Sequence, residues 1–225
     1  ASIAPVSECP IPSAHARLRD VHQYWHDLAE NYMDPDAFRR TLNTTIQELR
    51  NVSFLVQKQK AVLADFDVWY PQWQNEVRSD PVMRWIVESR NLIVKQGDLD
   101  LLSKMTMRYH LNWLVAHESE VNFPPRTPLP VAARLLTEEF GLPPMGLVTV
   151  RRRWTDYRLS SRELLDALAS AYKWCALLLH RAHLAVGITE CQVSLAISDC
   201  EDGSEFPECM VNLATYTEVS LNLAD

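Results

Sequence analysis

Two kinds of residue in this chain have the type and spacing to do chemistry: arginines set in apolar helical patterns, and histidines about one turn apart. An Arg-Asn pair occurs twice, as Glu48-Leu49-Arg50-Asn51 and as Glu88-Ser89-Arg90-Asn91, forty residues apart. The second copy continues Leu92-Ile93-Val94-Lys95-Gln96-Gly97-Asp98. Arginine does not shed its charge, so burying it requires partners. Two such residues on apolar helices predict a polar seam in a helical core. That seam is either a site or a structural network in which each arginine pairs with a carboxylate such as Asp65, Asp67 or Glu88.

His22 and His26 lie four apart and His180 and His183 three apart, so each pair shares a helix face. Two such helices side by side offer a metal site, with Asp27 or Glu30 adding a carboxylate. The Glu that follows the first His in zinc proteases is missing. No inward Glu-x-x-His pair marks a di-iron centre either. The residues therefore read as core-edge histidines, with no metal and no other cofactor expected. A metal-dependent helical oxidoreductase on His22, His26, His180 and His183 stands as the last alternative. The cysteines Cys9, Cys175, Cys191, Cys200 and Cys209 are odd in number and scattered, which is not a disulfide framework. Structural zinc sites usually space cysteines two to four apart. The nine-residue steps from Cys191 to Cys209 thus read as chance, and Cys175 as a small core residue.

Arg151, Arg153 and Trp154 form the best anion or nucleic-acid candidate, because a guanidinium beside an aromatic ring suits phosphate pairing and base stacking. On a strand Arg152 faces the other way, and the plainer reading is an edge strand protected by charge. His117-Glu118-Ser119-Glu120 offers Ser, His and acid but no nucleophile turn. Five glycines in 225 residues argue against glycine-rich phosphate loops.

The bulk numbers bound these readings. A chain of 225 residues fits one large domain or two small ones. It buries about 70% of its unfolded surface. The 47% hydrophobic and 23% charged composition is that of an ordinary globular protein. A net charge of −7 disfavours nucleic acid, which needs a concentrated positive surface. Residues 1–12 carry no basic region and no long apolar run, so neither a secretory signal nor a membrane span is expected. The expected location is cytoplasmic, with a homodimer or a protein partner and no membrane contact.

The elements that position these residues follow from periodicity and punctuation. Residues 14–33 read as a helix. Asp34-Pro35 starts a second that runs to about residue 62, with Phe38, Leu42, Ile46, Leu49 and Val56 as its stripe. An aromatic segment (Phe66, Trp69, Tyr70, Trp73) follows, and Asp80-Pro81 opens a fourth helix that Gly97 stops. From Met105 to Trp113 apolar residues alternate with polar ones, which predicts a strand. Residues 122–130 read as an extended connector, 131–140 as a short helix and Leu147–Arg153 as a strand. Ser160 and Glu163 make a capping box for a long helix over 161–186. Cys191–Ile197 and Met210–Leu223 are strand candidates joined by an acidic loop. The fold class read from this pattern is mainly α. It has an N-terminal four-helix bundle over 1–103, then a smaller α+β part over 104–225 with a short antiparallel sheet and one long helix.

A helical bundle carrying Arg90-Asn91, an apolar turn and then a polar residue resembles the HEPN superfamily of bacterial helical domains. The resemblance covers the N-terminal 60 to 100 residues or so and rests on a short motif. It implies an endoribonuclease in which Arg90 and Asn91 meet a base at a dimer interface. The family's His, four to six residues after the Arg, is absent here, and Lys95 or Gln96 stands in its place, with His110 the next histidine along the chain. Lysine is a poor general base near neutral pH. The leading expectation is therefore a non-enzymatic or degenerate HEPN-like interaction module of a bacterial defence or stress system. The alternative is a ribonuclease using Arg90, Asn91 and Lys95.

Overall fold

The first helix, α1 (Pro12–Glu30), buries His15, Leu18, Val21, Trp25 and Leu28, at steps of three and four, on one face. These are coordinates of a computed structural model, which describes residues 9–111, 114–143, 145–188, 208–210 and 213–223. Asp34 caps α2 (Pro35–Lys58) by accepting from the amides of Asp36 and Ala37 at 2.9 and 3.0 Å. α3 (Phe66–Ser79) follows a 3-10 turn over Lys60–Val62. Asp80 caps α4 (Pro81–Gln96), accepting from Met83 N at 2.9 Å, and Gly97, at φ 90°, ends it.

Strand β1 (Leu101–Leu111) pairs with β2 (Leu114–Phe123), and after α5 (Leu129–Glu139) with β3 (Leu147–Asp156). The long α6 (Leu164–Leu184) comes next. Near the end a 3-10 turn (Glu208–Met210), a one-turn helix α7 (Ala214–Thr217) and β4 (Glu218–Asn222) complete the described elements. The sheet runs β2-β1-β3-β4, all antiparallel.

The expected fold class needs correction. The helical part does not close as four helices: α6 packs on α1, α2 and α4, and its buried face shares one core with theirs. An amphipathic stripe shows that a helix is buried without showing against what, so the stripe of α6 does not by itself place it with the N-terminal helices. The sheet is not short either, since three of its strands have ten or eleven residues. One of its faces is covered at one end by the helical layer, through Leu101 and Trp154, and at the other by α5 on Met105, Met107, Val148 and Val150. The expected 161–186 helix starts at Leu164, because Ser160 has a left-handed φ of 57° and Glu163 itself is the cap. Among the described residues of Met210–Leu223, only Glu218–Asn222 is a strand. Cys191–Ile197 and most of the acidic loop lie outside the described residues.

The joint between helices and sheet is polar. Arg152, 0% exposed, donates to Ser103 Oγ at 3.0 Å, Met33 O at 3.2 Å and Pro125 O at 3.0 Å, and stacks 4.0 Å from the Trp154 ring. Burial lowers its pKa to about 10, so it stays charged at neutral pH. Tyr32, after α1, donates to Glu163 at 2.6 Å and accepts from Trp154 N at 3.1 Å, while its own carbonyl takes the Trp154 indole N–H at 2.9 Å. Trp25 Nε1 donates to Leu165 O at 2.9 Å. The C-terminal end of α1 therefore meets the N-terminal end of α6, and the two helices run antiparallel.

Arg152→Ala leaves a buried hydroxyl and two carbonyls without their donor. It is expected to lower the unfolding free energy by about 3–5 kcal/mol. Arg151→Ala, on the exposed face beside Glu218, is expected to change it by less than about 1 kcal/mol. Chemical denaturation of both variants checks the contrast.

Burial pushes the Glu163 carboxyl up to about 7. Asp166 adds to that rise, and the Tyr32 hydroxyl and the amides of Asp166 and Leu165 oppose it. Between the ordinary carboxylate range and about 7, the folded chain holds a proton that the unfolded chain has released. Stability is thus greatest below that range, falls as pH rises through about 7, and levels off above it. Glu163→Gln is expected to remove on the order of 1–2 kcal/mol of this fall between pH 5 and pH 8. Parallel pH profiles for the two proteins would contradict the assignment.

Candidate metal centre

At the other end of the antiparallel α1–α6 pair, the described residues bring three nitrogen and sulfur ligands together. Cys9 precedes α1, His15 lies in its first turn and His183 in the last turn of α6. Cys9 Sγ is 3.3 Å from His183 Nε2, and the Nε2 atoms of His15 and His183 are 3.0 Å apart. The two rings are 2% and 3% exposed, and the three ligand atoms all lie within 4.8 Å of one another. Zinc–nitrogen distances of about 2.0–2.1 Å and zinc–sulfur distances of about 2.3 Å, at tetrahedral angles, put two nitrogens about 3.3 Å apart and nitrogen and sulfur about 3.6 Å apart. The observed separations fall a few tenths of an ångström inside those values.

The protonation states fit as well. His183 Nδ1 lies 2.7 Å from the carbonyl of Leu179, which can only accept, so Nδ1 carries the proton. Burial lowers the His183 pKa, with His180 adding to it and the Leu179 bond opposing. Burial, with His183 and Arg19 adding to it, brings His15 to about 4. Both rings are neutral at pH 7, and His183 Nε2 presents a single lone pair to its neighbours. Cys9 Sγ and His15 Nε2 both face that lone pair. A cation among the three atoms would take a lone pair from each of them. The Leu179 carbonyl then does what an outer partner does in metal sites, fixing the tautomer and the ring.

A second group lies further along α1. His22 and His26 are one turn apart with ring centroids 4.8 Å apart, and His22 Nε2 is 3.1 Å from Cys209 Sγ. All three are half-buried, and their ligand atoms again lie within 4.8 Å of one another. Met210, buried in the helical core, anchors the turn that carries Cys209.

The histidines singled out by spacing are thus separated by the fold. His22 and His26 form one group, His183 joins the other, and half-buried His180 is in neither. Cys9, His15 and Cys209 had carried no metal signal. One pattern would have pointed to His15: His15, His22 and His26 follow one another at steps of seven and four along a single helix face. Cys191 and Cys200 lie outside the described residues. Cys175 is a core residue whose thiol lies 3.7 Å from Leu49 O.

The other candidates are dispersed. Trp154 is buried, Arg151 pairs with Glu218 at 3.0 Å, and Arg153 donates to the Ser161 carbonyl. Arg90 is half-buried on α4, while Asn91 and Lys95 are exposed. Arg50 is half-buried on α2 with its guanidinium 4.9 Å from the Phe54 ring. Neither Arg50 nor Arg90 has a carboxylate within 4.0 Å among the described residues. The buried ion pair is elsewhere: Asp156, which also accepts from Trp85 Nε1 at 3.0 Å, holds Arg158 at 2.5 Å.

The family described as Bacteriophage lambda protein ea47 matches residues 4–225. The chain belongs to the phage lambda Ea47 family. Protein ea47 of Escherichia phage lambda is similar to it, 32% identical over 168 residues. The match covers 69% of this chain and 40% of that protein, so the chain spans well under half of the curated relative it matches. No solved structure matches. The HEPN resemblance is therefore corrected: the match along nearly the whole chain is to Ea47, and nothing in it points to a HEPN domain. An Arg-Asn pair followed by apolar residues is what an amphipathic helix repeats by chance, and α2 and α4 each carry one. No helix among the described residues is long and apolar enough to cross a membrane.

Burial pushes the Cys175 thiol up to about 12. Alkylation of the native protein, mapped residue by residue by mass spectrometry, is expected to leave Cys175 unmodified with or without a chelator. Cys9 and Cys209 are expected to become reactive once the chelator is added. Modification of Cys175 at the same rate as Cys9 would contradict this placement.

Proposed function

We propose that this Ea47-family chain is a non-enzymatic interaction module whose helical layer is clamped by zinc. The observation that carries the reading is the Cys9–His15–His183 group, in which one sulfur and two imidazole nitrogens from both ends of the chain converge. Its ligands are imidazole and thiol, a set that suits zinc and not magnesium or calcium.

A structural role is favoured over a metal-dependent oxidoreductase by where the ligands lie. Catalytic zinc needs an open position beside a substrate cavity. The cavities lined by Arg17 and Lys58, by Arg50 and Trp73, and by Arg39 and Trp154 include none of the six ligands. The ion would instead tie the segment before α1 and the start of that helix to the end of α6. The second group would tie the turn at Cys209 to the middle of α1. Such ties hold a surface in shape for a partner, and metal binding of this kind is folding free energy.

Elemental analysis of protein purified without added metal is expected to find one or two zinc ions per chain. A chelator is expected to lower the melting temperature by about 5–10 °C, and zinc to restore it. His183→Ala is expected to lose one equivalent of metal. Protein that is metal-free as purified, with a melting temperature indifferent to chelator and to zinc, would overturn the reading.

A further inference from the structure

Arg50, the first of the doubled arginines, lines a cleft that the zinc reading does not use. It lies between α2, α3 and α4, has a volume of about 320 Å³, and is lined by Arg50, Arg78 and Arg84 against one acid, Glu88. In a chain of net charge −7 this is a local excess of positive charge. None of the three arginines has a carboxylate within 4.0 Å among the described residues. Glu88 is the acid closest at hand, and its charge also acts on Arg158. Arg50 is half-buried, and Arg90 adds a second like charge to its surroundings. A half-buried guanidinium without a carboxylate is costly, and an incoming anion offsets that cost at Arg50 while drawing in the exposed Arg78 and Arg84.

The rest of the lining describes what else the anion carries. Trp73 is 2% exposed, and its indole N–H, a donor only, has no hydrogen-bond partner among the described residues. Tyr70 holds Gln57 at 2.5 Å on the same wall. Val77, Met83 and Val87 supply an apolar side. A volume of this size takes one small molecule, not a polymer segment.

We propose that this cleft binds a small organic monophosphate, its phosphate held by Arg50 and Arg84 and its apolar body laid against Val77, Met83 and Val87. Two arginine forks match the three oxygens and the near-double negative charge of a phosphate monoester, where a carboxylate offers two oxygens and a single charge. The inference does not rest on the zinc reading, because no ligand of either metal group lines the cleft.

Isothermal titration of the intact chain with AMP, adenosine and inorganic phosphate tests it. AMP is expected to bind at micromolar to submillimolar concentration, at least tenfold more tightly than inorganic phosphate, with no measurable adenosine binding. Arg84→Gln, an exposed position, is expected to weaken AMP about tenfold with an unchanged melting temperature, and Arg50→Gln at least as much. Arg50→Lys is expected to recover part of that loss. Adenosine binding as well as AMP, inorganic phosphate binding as well as AMP, equal binding by the Arg84→Gln variant, or no binding by any probe would each overturn the proposal.

Discussion

Two neutral imidazole nitrogens 3.0 Å apart, buried between the first helix and α6, set the constraint on which the helical layer depends. Nitrogen lone pairs at that distance repel unless a proton or a cation lies between them. The Leu179 carbonyl removes one degree of freedom by holding the His183 proton on Nδ1. The Cys9 sulfur removes another by facing the same Nε2 from a third direction. At the far end of the pair, Tyr32 reaches Glu163 and Trp25 reaches Leu165. The antiparallel helices are thus fixed at both ends by polar contacts, with the apolar stripe from Leu18 to Leu28 between them.

Placing the sheet is a separate problem, solved by one buried cation. Arg152 has no carboxylate within 4.0 Å among the described residues, and the carbonyls of Met33 and Pro125 take its charge instead. Those carbonyls belong to the turn after α1 and the connector before α5, so one side chain fixes the sheet to both neighbouring layers. Trp154 supplies the apolar counterpart: it stacks on Phe38 of α2 with rings 4.8 Å apart, and on the Arg152 guanidinium. The same strand presents Arg151 and Arg153 outward, where they bind Glu218 and the Ser161 carbonyl. Alternation along a strand divides the arginine run into one structural residue and two surface ones.

What the sequence made legible was local. Asp34-Pro35 and Asp80-Pro81 signalled helix starts because the cap and the fixed proline φ act within a single turn. Met105, Met107 and Tyr109 signalled a strand because one buried face imposes period two. The partner of α6 was not legible, since its stripe of Leu164, Leu168, Tyr172 and Leu179 suits any apolar neighbour. The metal groups were not legible for the same reason on a larger scale: Cys9 and His183 are 174 residues apart, and His22 and Cys209 are 187 apart. Searching for ligands by short spacing finds only His22 with His26 and His180 with His183, and the fold then separates His180 from both groups. The doubled arginines lie near enough for the charge of Arg90 to act on Arg50, as a shared polar seam requires. None of the carboxylates expected to neutralise them lies within 4.0 Å of either among the described residues, and the buried carboxylate of Asp156 is taken by Arg158.

Charge explains why the two candidate sites stay distinct. The metal groups gather imidazoles and thiols within the helical layer, while the cleft between α2, α3 and α4 gathers guanidiniums at its surface. The first chemistry favours a cation and the second an anion. The central claim is that a cation lies among Cys9, His15 and His183. X-ray absorption at the zinc edge tests it most directly on protein purified without added metal. The account predicts a first shell of mixed nitrogen and sulfur at about 2.0–2.1 and 2.3 Å, with imidazole outer-shell scattering. A shell of oxygen alone, or no zinc signal, would contradict it.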